Sequence, residues 1–455
     1  MWTRDKWTLS VATSLGSVLG RSATEIMPYS EAQNPTDVLV AASAKSSSSI
    51  HFADGEVEVV TEQGLRHAEL KLEARHYKHA PFAAQLLKCL RYLKVPTWLG
   101  PDITPQDIRI YKVSGSLTNA VFFVSSCAQE PCTVLLRIYG PSSGSLISRP
   151  RELHALHMLS SQYHIGPRVY GTFENGRVEE FYESRVLTAA DLRDPKISRW
   201  IGARMAELHS VDIETIEGTS PDNRGEGRGW EIGAKKNVKS WMPHARQVLA
   251  LPAVSETLRE EFNLDGFTRD WDMYMQWLAS VDDVKRGSRR VYAHNDAQYG
   301  NLLLLTTQDE NLPDHRQLIV VDFEYASPNP ASFDIANHFH EWTANYHSDS
   351  PHILDRSRYP TKEERYNFYL AYLEHSTVTP DSRPLSKFEL VGLMPDLDMQ
   401  VKAWSPASHA MWAIWGIVQA REDVEAGVEE VEFDYIGYAQ CRMAAFRKEL
   451  KGLGL

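Results

Sequence analysis

His294-Asn295-Asp296-Ala297-Gln298-Tyr299-Gly300-Asn301 lies between Val291-Tyr292 and the run Leu302-Leu303-Leu304-Leu305. A second apolar run follows, Leu318-Ile319-Val320-Val321, and it ends in Asp322-Phe323-Glu324. Both runs are short and apolar, as buried strands are. The spacing is therefore His-x-Asp, four residues, Asn, a strand, and a second strand ending in Asp. A lone Asp-x4-Asn is common by chance, and Asp or Asn in a turn is usually a turn former. The whole combination is much rarer.

The residue types suit one chemistry. A carboxylate, Asp296, accepts the proton of an attacking hydroxyl. The amide of Asn301 and the carboxylate of Asp322 supply the hard oxygen ligands that Mg²⁺ takes. The cation then neutralises charge that develops on a transferred phosphoryl group. A catalytic loop followed by a metal-binding Asp has this order in phosphoryl-transfer enzymes.

Working outward, the N-terminal half is rich in strand signals. Ile108 to Val113 alternates, Ser114 to Asn119 is turn-rich, and Ala120 to Val124 is apolar and β-prone. Thr133 to Tyr139, Arg168 to Thr172 and Val178 to Phe181 add further strand candidates. Leu153, Leu156 and Leu159 mark a helix face, as do Ile197, Ile201, Met205 and Leu208. His67 to Leu93 reads as more helical, residues 218–233 as an exposed loop, and the rest of the C-terminal part as mostly helix. Such segregation predicts an α+β protein in two lobes rather than an alternating parallel sheet. Residues 1–80 read as a peripheral, partly disordered extension with the low-complexity run Ser46 to Ser49. Residues 81–182 read as an N-lobe and residues 183–455 as a helical C-lobe.

The 455 residues are ordinary in composition, with 43% hydrophobic and 24% charged, so a fully disordered or disulfide-scaffold chain is excluded. With 48 Lys and Arg against 60 Asp and Glu, the formal charge is −12. Nucleic acid and anionic lipid need clustered positive charge, so neither is an expected partner. The four cysteines form no CxxC pair and are expected to be free thiols, although Cys127 and Cys132 could pair across a turn. No apolar run reaches the ~18 residues of a membrane span. Arg4 and Lys6 precede an uncharged run from Trp7 to Gly20 that resembles a signal peptide. Five Ser or Thr within it, and Asp5 beside it, favour a frayed tail in a cytoplasmic protein. Oligomeric state stays open, a homodimer included.

The chain resembles the choline/ethanolamine kinase family, fungal choline kinases most of all. The resemblance is carried by His294-Asn295-Asp296 to Asn301, by Asp322-Phe323-Glu324-Tyr325, by Asn329, by Phe333-Asp334-Ile335-Ala336-Asn337-His338-Phe339 and by Glu341-Trp342. Weaker similarity runs from about Val113 to about Phe446. Where the family often has Arg-Gly before Phe-Asp, this chain has Ala331-Ser332. The resemblance implies a bilobal protein-kinase-like fold with a small β-rich N-lobe. It implies Mg²⁺-dependent transfer of the ATP γ-phosphate to the hydroxyl of choline or ethanolamine, with phosphocholine feeding phosphatidylcholine synthesis. Asp296 is then the base, in reach of the alcohol, and Asn301 and Asp322 hold Mg²⁺.

For the nucleotide, the hairpin Ser114-Gly115-Ser116-Leu117-Thr118-Asn119 offers N–H groups and small hydroxyls, a weak signal that matches the family's hairpin in position. Arg137, a lone cation in an apolar strand, resembles the family's phosphate-binding cation. Glu152, on the next helix, is expected to hold it in place, although a first-turn Glu also simply suits a helix dipole. Glu180-Phe181 ends the last strand before the helical half, where adenine would contact backbone.

For the acceptor, choline has a permanent charge and no N–H, so aromatic faces and a carboxylate must hold it. Trp412 and Trp415 are three apart and share a helix face. Paired tryptophans are more often core than cage. By resemblance they join Tyr438, Glu341 and Tyr346 in the choline pocket. Asp334 and Asn337 are expected to brace the site rather than touch substrate, because a buried carboxylate near a catalytic loop often accepts its backbone N–H groups. Ethanolamine, whose ammonium carries three donors, is the nearest rival acceptor. Two further readings are weaker. A metal hydrolase would use His338, His340, Glu341 and His347, but residues i and i+2 do not face one metal on a helix. A non-catalytic binding module would have lost catalytic groups that are present here.

Overall fold

Ala120, Val121, Phe122, Phe123 and Val124 are all buried, so this strand has apolar neighbours on both faces. Its period of two sorts them. Ala120, Phe122 and Val124 join one core with Val134, Leu136 and Ile138, whereas Val121, Phe123 and Leu135 form a separate cluster on the opposite face. Arg137 follows Leu135 by two residues and so belongs to that second face.

The computed structural model describes residues 58–115, 119–128, 133–140, 148–218, 231–282, 288–376, 385–427, 431 and 433–455. The Ser46 to Ser49 run, the N-terminal basic segment, Cys132, Ser116, Thr118 and most of the 218–233 loop lie outside them. Cys89, Cys127 and Cys441 are free thiols. Among the described residues no helix is long and apolar enough to cross a membrane.

The chain divides into two units. The first comprises residues up to Val186 together with 300–309 and 319–324. Its elements are β1 (His67–Ala68), α1 (Ala80–Tyr92), β2 (Ile108–Gly115), β3 (Asn119–Ser126), β4 (Val134–Tyr139), α2 (Arg149–Gln162), β5 (Val169–Phe173), β6 (Gly176–Glu180) and β7 (Ser184–Val186). The main sheet runs β1-β5-β6-β4-β3-β2, antiparallel except for the β1–β5 pair. Helix α1 starts with Pro81 in its first turn and buries Phe82, Leu86, Leu87 and Leu90 in the first core.

Two sequence expectations shift here. Ala68, Leu72 and Ala74 are core residues and β1 pairs with β5, so the last part of the segment read as peripheral belongs to the sheet. A two-residue strand carries too little periodicity to be recognised. β6 is also not the last strand before the helices, because β7 follows and pairs with β9 (Leu302–Leu305). That pairing, with β10 (Leu318–Val320) beside β9, brings the leucine run and residues 319–324 into the sheet-bearing unit.

The second unit is mainly helical: α3 (Pro195–Leu208), α4 (Ile213–Glu217), α5 (Gly233–Leu249), α6 (Glu256–Phe262), α7 (Leu264–Val281), α8 (Ala331–Glu341), α9 (Lys362–Ser376), α10 (Lys387–Gln419), α11 (Arg421–Ala426) and α12 (Tyr435–Leu453). Strands β8 (Arg290–Ala293) and β11 (Ser327–Pro330) form an antiparallel pair within it. Asp194 caps α3 by accepting from the N–H groups of Lys196 and Ile197, and Ser386 with Glu389 closes a capping box on α10. Every residue of α8 is buried, polar ones included. A helix buried all round must satisfy its polar side chains internally.

Gly176 sits in β6 where a side chain would meet the carbonyl oxygen of Arg137 and the Phe173 ring. Backbone cannot yield as a flexible side chain does. Gly176→Ala is expected to destabilise the protein by about 1–3 kcal/mol, read from the urea midpoint at unchanged m-value. A loss under about 0.5 kcal/mol would show that the strands have room to part.

Candidate active site

Asp334, Asn337 and His338 recur at i, i+3 and i+4, so α8 presents them on one face. That face holds the loop carrying Asp296. The Asp334 carboxylate accepts from the backbone N–H of His294 at 2.9 Å and of Asn295 at 2.8 Å. The Asn337 amide donates to the Asn295 carbonyl at 3.0 Å. His338 Nδ1 lies 2.7 Å from the Ala297 carbonyl. A carbonyl only accepts, so Nδ1 carries the proton, and Nε2 is left to accept from the Trp342 indole at 3.2 Å. Asn295 has φ +63°, a left-handed conformation that Asn tolerates. Its amide donates to Tyr325 O and Ser327 Oγ, and its oxygen accepts from Asn329.

His209 contributes from α3's C-cap: its Nε2 meets Asp334 Oδ2 at 2.9 Å, and its Nδ1 meets the Tyr372 hydroxyl. Burial alone would raise the Asp334 carboxyl, but the His209 contact outweighs it and holds the group below its ordinary value. Asp334 therefore grips the loop as an anion, with correspondingly strong hydrogen bonds. The bracing expected of Asp334 and Asn337 has this geometry, while nothing in the sequence pattern pointed to His209. Asp296 itself is 8% exposed, and its own N–H faces His294 Nδ1 at 3.3 Å.

In the same unit, the Asn337 amide oxygen accepts from Ser408 Oγ and from the Trp412 indole, each at 2.7 Å. The Trp412 and Trp415 rings lie 5.1 Å apart, edge to face, and Trp415 donates to the Tyr325 hydroxyl. Trp415 and Tyr438 centroids are 6.0 Å apart. Glu341 accepts from the Tyr346 hydroxyl at 2.6 Å and from Arg442 at 2.9 Å. The five expected acceptor-side residues are thus in one cluster, and the sequence reading missed its cation, Arg442. The signal was its place one turn after Tyr438 on α12.

In the sheet-bearing unit a cavity of about 720 Å³, counting its open mouth, is lined by Phe123, Leu135, Arg137, Glu152, Glu180, Phe181 and Asp322. This size suits a nucleotide-sized ligand. Arg137 is paired with Glu179, not with Glu152 as expected: its Nε lies 3.1 Å from Glu179 Oε1. Glu152 instead binds Arg177 at 2.6 Å. The reason is register, because Arg137 faces Arg177 across β4 and β6, and Glu179 bonds both. Burial works against the Glu179 charge, but the two guanidiniums hold its carboxyl at about 2. Glu180 accepts from the Arg168 N–H and the Tyr182 hydroxyl, and Phe181 packs edge-on to Phe123. The Val321 N–H donates to the Asn301 carbonyl at 3.0 Å, so the backbone just before Asp322 is bonded to Asn301. Asp322 has φ +67°. Ser114, Gly115 and Asn119 belong to the paired β2 and β3 backbones.

The hydrolase grouping does not assemble. His338 is spent on Ala297 and Trp342, and Glu341 on Tyr346 and Arg442. His340 lies instead with His409 and Glu449.

A family model described as choline/ethanolamine kinase matches residues 110–447. The choline kinase of Schizosaccharomyces pombe is 32% identical over 82% of this chain and 90% of its own length. The Homo sapiens choline/ethanolamine kinase is also 32% identical, over 75% of this chain and 80% of its own. The crystal structure of choline kinase from Cryptosporidium parvum superposes with a TM-score of 0.60 at 24% identity, covering 81% of this chain and 95% of that one. At that identity it shows a shared fold, the protein-kinase-like one.

His338 makes the grip on the loop sensitive to acid. Burial lowers its pKa from 6.5 to about 4. The neutral form is favoured in the folded state, so its stabilisation is complete above pH 6.5 and is lost as pH falls toward 4. The span corresponds to on the order of 3 kcal/mol. Melting temperature should fall through this window, and His338→Asn should flatten the fall. An equally steep profile in the variant would exclude His338 as a source.

Proposed function

The chain belongs to the choline/ethanolamine kinase family, and from that membership we propose that it is an ATP-dependent choline kinase. It transfers the γ-phosphate of ATP to the choline hydroxyl and yields phosphocholine and ADP. The observation that carries the reading is the fixed loop: Asp296 directly follows His294 and Asn295, whose backbone Asp334 clamps. A clamped base keeps its orientation through the reaction, and positioning supplies much of the rate in phosphoryl transfer.

In this mechanism the Asp296 carboxylate accepts the hydroxyl proton as the oxygen attacks phosphorus. Arg137, oriented by Glu179, binds ATP phosphate oxygens. Glu180 and Phe181 line the cavity and would meet adenine through their backbone, and the Ser114 to Asn119 turn, through its N–H groups and hydroxyls, is the expected phosphate contact. The oxygen donors of Asn301 and Asp322 fit Mg²⁺, which bound there would neutralise charge on the phosphates. Trp412, Trp415, Tyr438 and Tyr346 offer aromatic faces to the trimethylammonium, worth roughly 0.5–2 kcal/mol each. Glu341 adds a carboxylate. Ethanolamine is a second acceptor of the same site, since a carboxylate also receives a primary ammonium. The cytoplasm is the expected compartment.

Purified protein with ATP and Mg²⁺ should consume ATP with choline well above the rate with ethanolamine or no acceptor. Asp296→Ala should lower kcat by about 10³-fold with an unchanged melting temperature, within the usual range for loss of one general base. Turnover retained in the folded variant would remove Asp296 from the role of base.

A further inference from the structure

Arg442 is fully buried on α12 and is held on three sides. Its NH2 donates to Glu341 Oε1 at 2.9 Å and its Nε to the Tyr438 hydroxyl at 3.0 Å. Its NH1 faces His409 Nδ1 at 3.4 Å. An arginine has no acceptor, so His409 Nδ1 is the unprotonated nitrogen and Nε2 carries the proton toward Glu449 Oε1, 3.5 Å away. Glu449 also accepts from Ser405 Oγ at 2.8 Å, and Ser405 Oγ meets His340 Nε2 at 2.9 Å. The same tautomer argues against a metal at His340, His409 and Glu449, because His409 Nε2 cannot ligate while Arg442 donates to Nδ1. The His-Glu-Ser network is a rear anchor that stops the guanidinium from swinging away.

The front of Arg442 decides how Glu341 presents itself. One carboxylate oxygen is taken by Arg442 and the other by the Tyr346 hydroxyl. We propose that Arg442 is a positioning residue that sets which ammonium the acceptor site prefers, by keeping both oxygens of Glu341 engaged and its charge paired. The inference rests on the choline kinase reading above. A primary ammonium has three N–H donors and needs free acceptor lone pairs to replace lost water. A trimethylammonium has no such donors and is served by aromatic faces and field alone. Pairing Glu341 with Arg442 therefore disadvantages ethanolamine more than choline. Removing Arg442 returns a full carboxylate to the pocket and favours ethanolamine selectively. A residue that only packed would, on removal, weaken both acceptors alike.

The test is kcat/KM for choline and for ethanolamine, in the wild type, Arg442→Met, Arg442→Lys and the double variant Glu341→Gln with Arg442→Met. The choline-to-ethanolamine ratio is expected to fall about tenfold in Arg442→Met, which is about 1.4 kcal/mol of discrimination. Arg442→Lys, a single point charge that cannot serve three partners at once, should lower it about threefold. The double variant has no carboxylate to release and should return the ratio to the wild-type value or above. Should Arg442→Met fail to fold, by far-UV circular dichroism, the lysine and double variants decide. A ratio unmoved in the folded single variants, or still lowered in the double variant, overturns the proposal alone. A wild type that phosphorylates neither acceptor overturns the choline kinase reading, and this proposal with it.

Discussion

The helix-like unit is organised by one contact: the anionic Asp334 carboxylate holding two successive N–H groups of the loop before Asp296. A buried carboxylate is costly unless its lone pairs are filled. Here His209 and two amides fill them, so Asp334 stays ionised and the loop cannot relax without exposing the charge. One helical turn later Asn337 binds the same loop and passes the constraint to Ser408 and Trp412. The position of Asp296 and the position of helix α10 are therefore set by neighbouring residues of α8. A change at any of these should be felt at the others, as in any shared network.

In the sheet-bearing unit a different constraint does the corresponding work. The period-two alternation of β4 turns Arg137 to the cavity face, and the register with β6 sets Arg177 directly opposite. Two guanidiniums that close repel, and Glu179 between them makes the arrangement stable. The Arg137 guanidinium is thus held in one orientation by the protein itself.

Much of this was legible in the chain. The His-x-Asp-x4-Asn spacing is local, so residue types and intervals alone expose the chemistry. The division into a β-rich and a helical part followed from where strand and helix signals cluster. Partner choice was less legible, because it depends on register and packing between distant segments. Glu152 was a reasonable partner for Arg137 until the strands placed Glu179 nearer. Arg442 and His209 looked like ordinary helix residues, although each binds a carboxylate of the site at 2.9 Å. Strand β1 has two residues and no readable periodicity, so residues near 70 gave no sign of belonging to the core.

Alignment of Asp296 by the grip of Asp334 is open to direct measurement. The direct measurement is kcat for choline phosphorylation by Asp334→Asn, with the choline and ATP KM values and the melting temperature measured alongside. Asparagine keeps the shape but replaces one accepting oxygen with an amide that cannot accept from the loop. A misaligned base in a folded protein should lower kcat about 10²-fold with KM values little changed. A folded variant with wild-type kcat would contradict the account, since the loop would then hold Asp296 without the carboxylate.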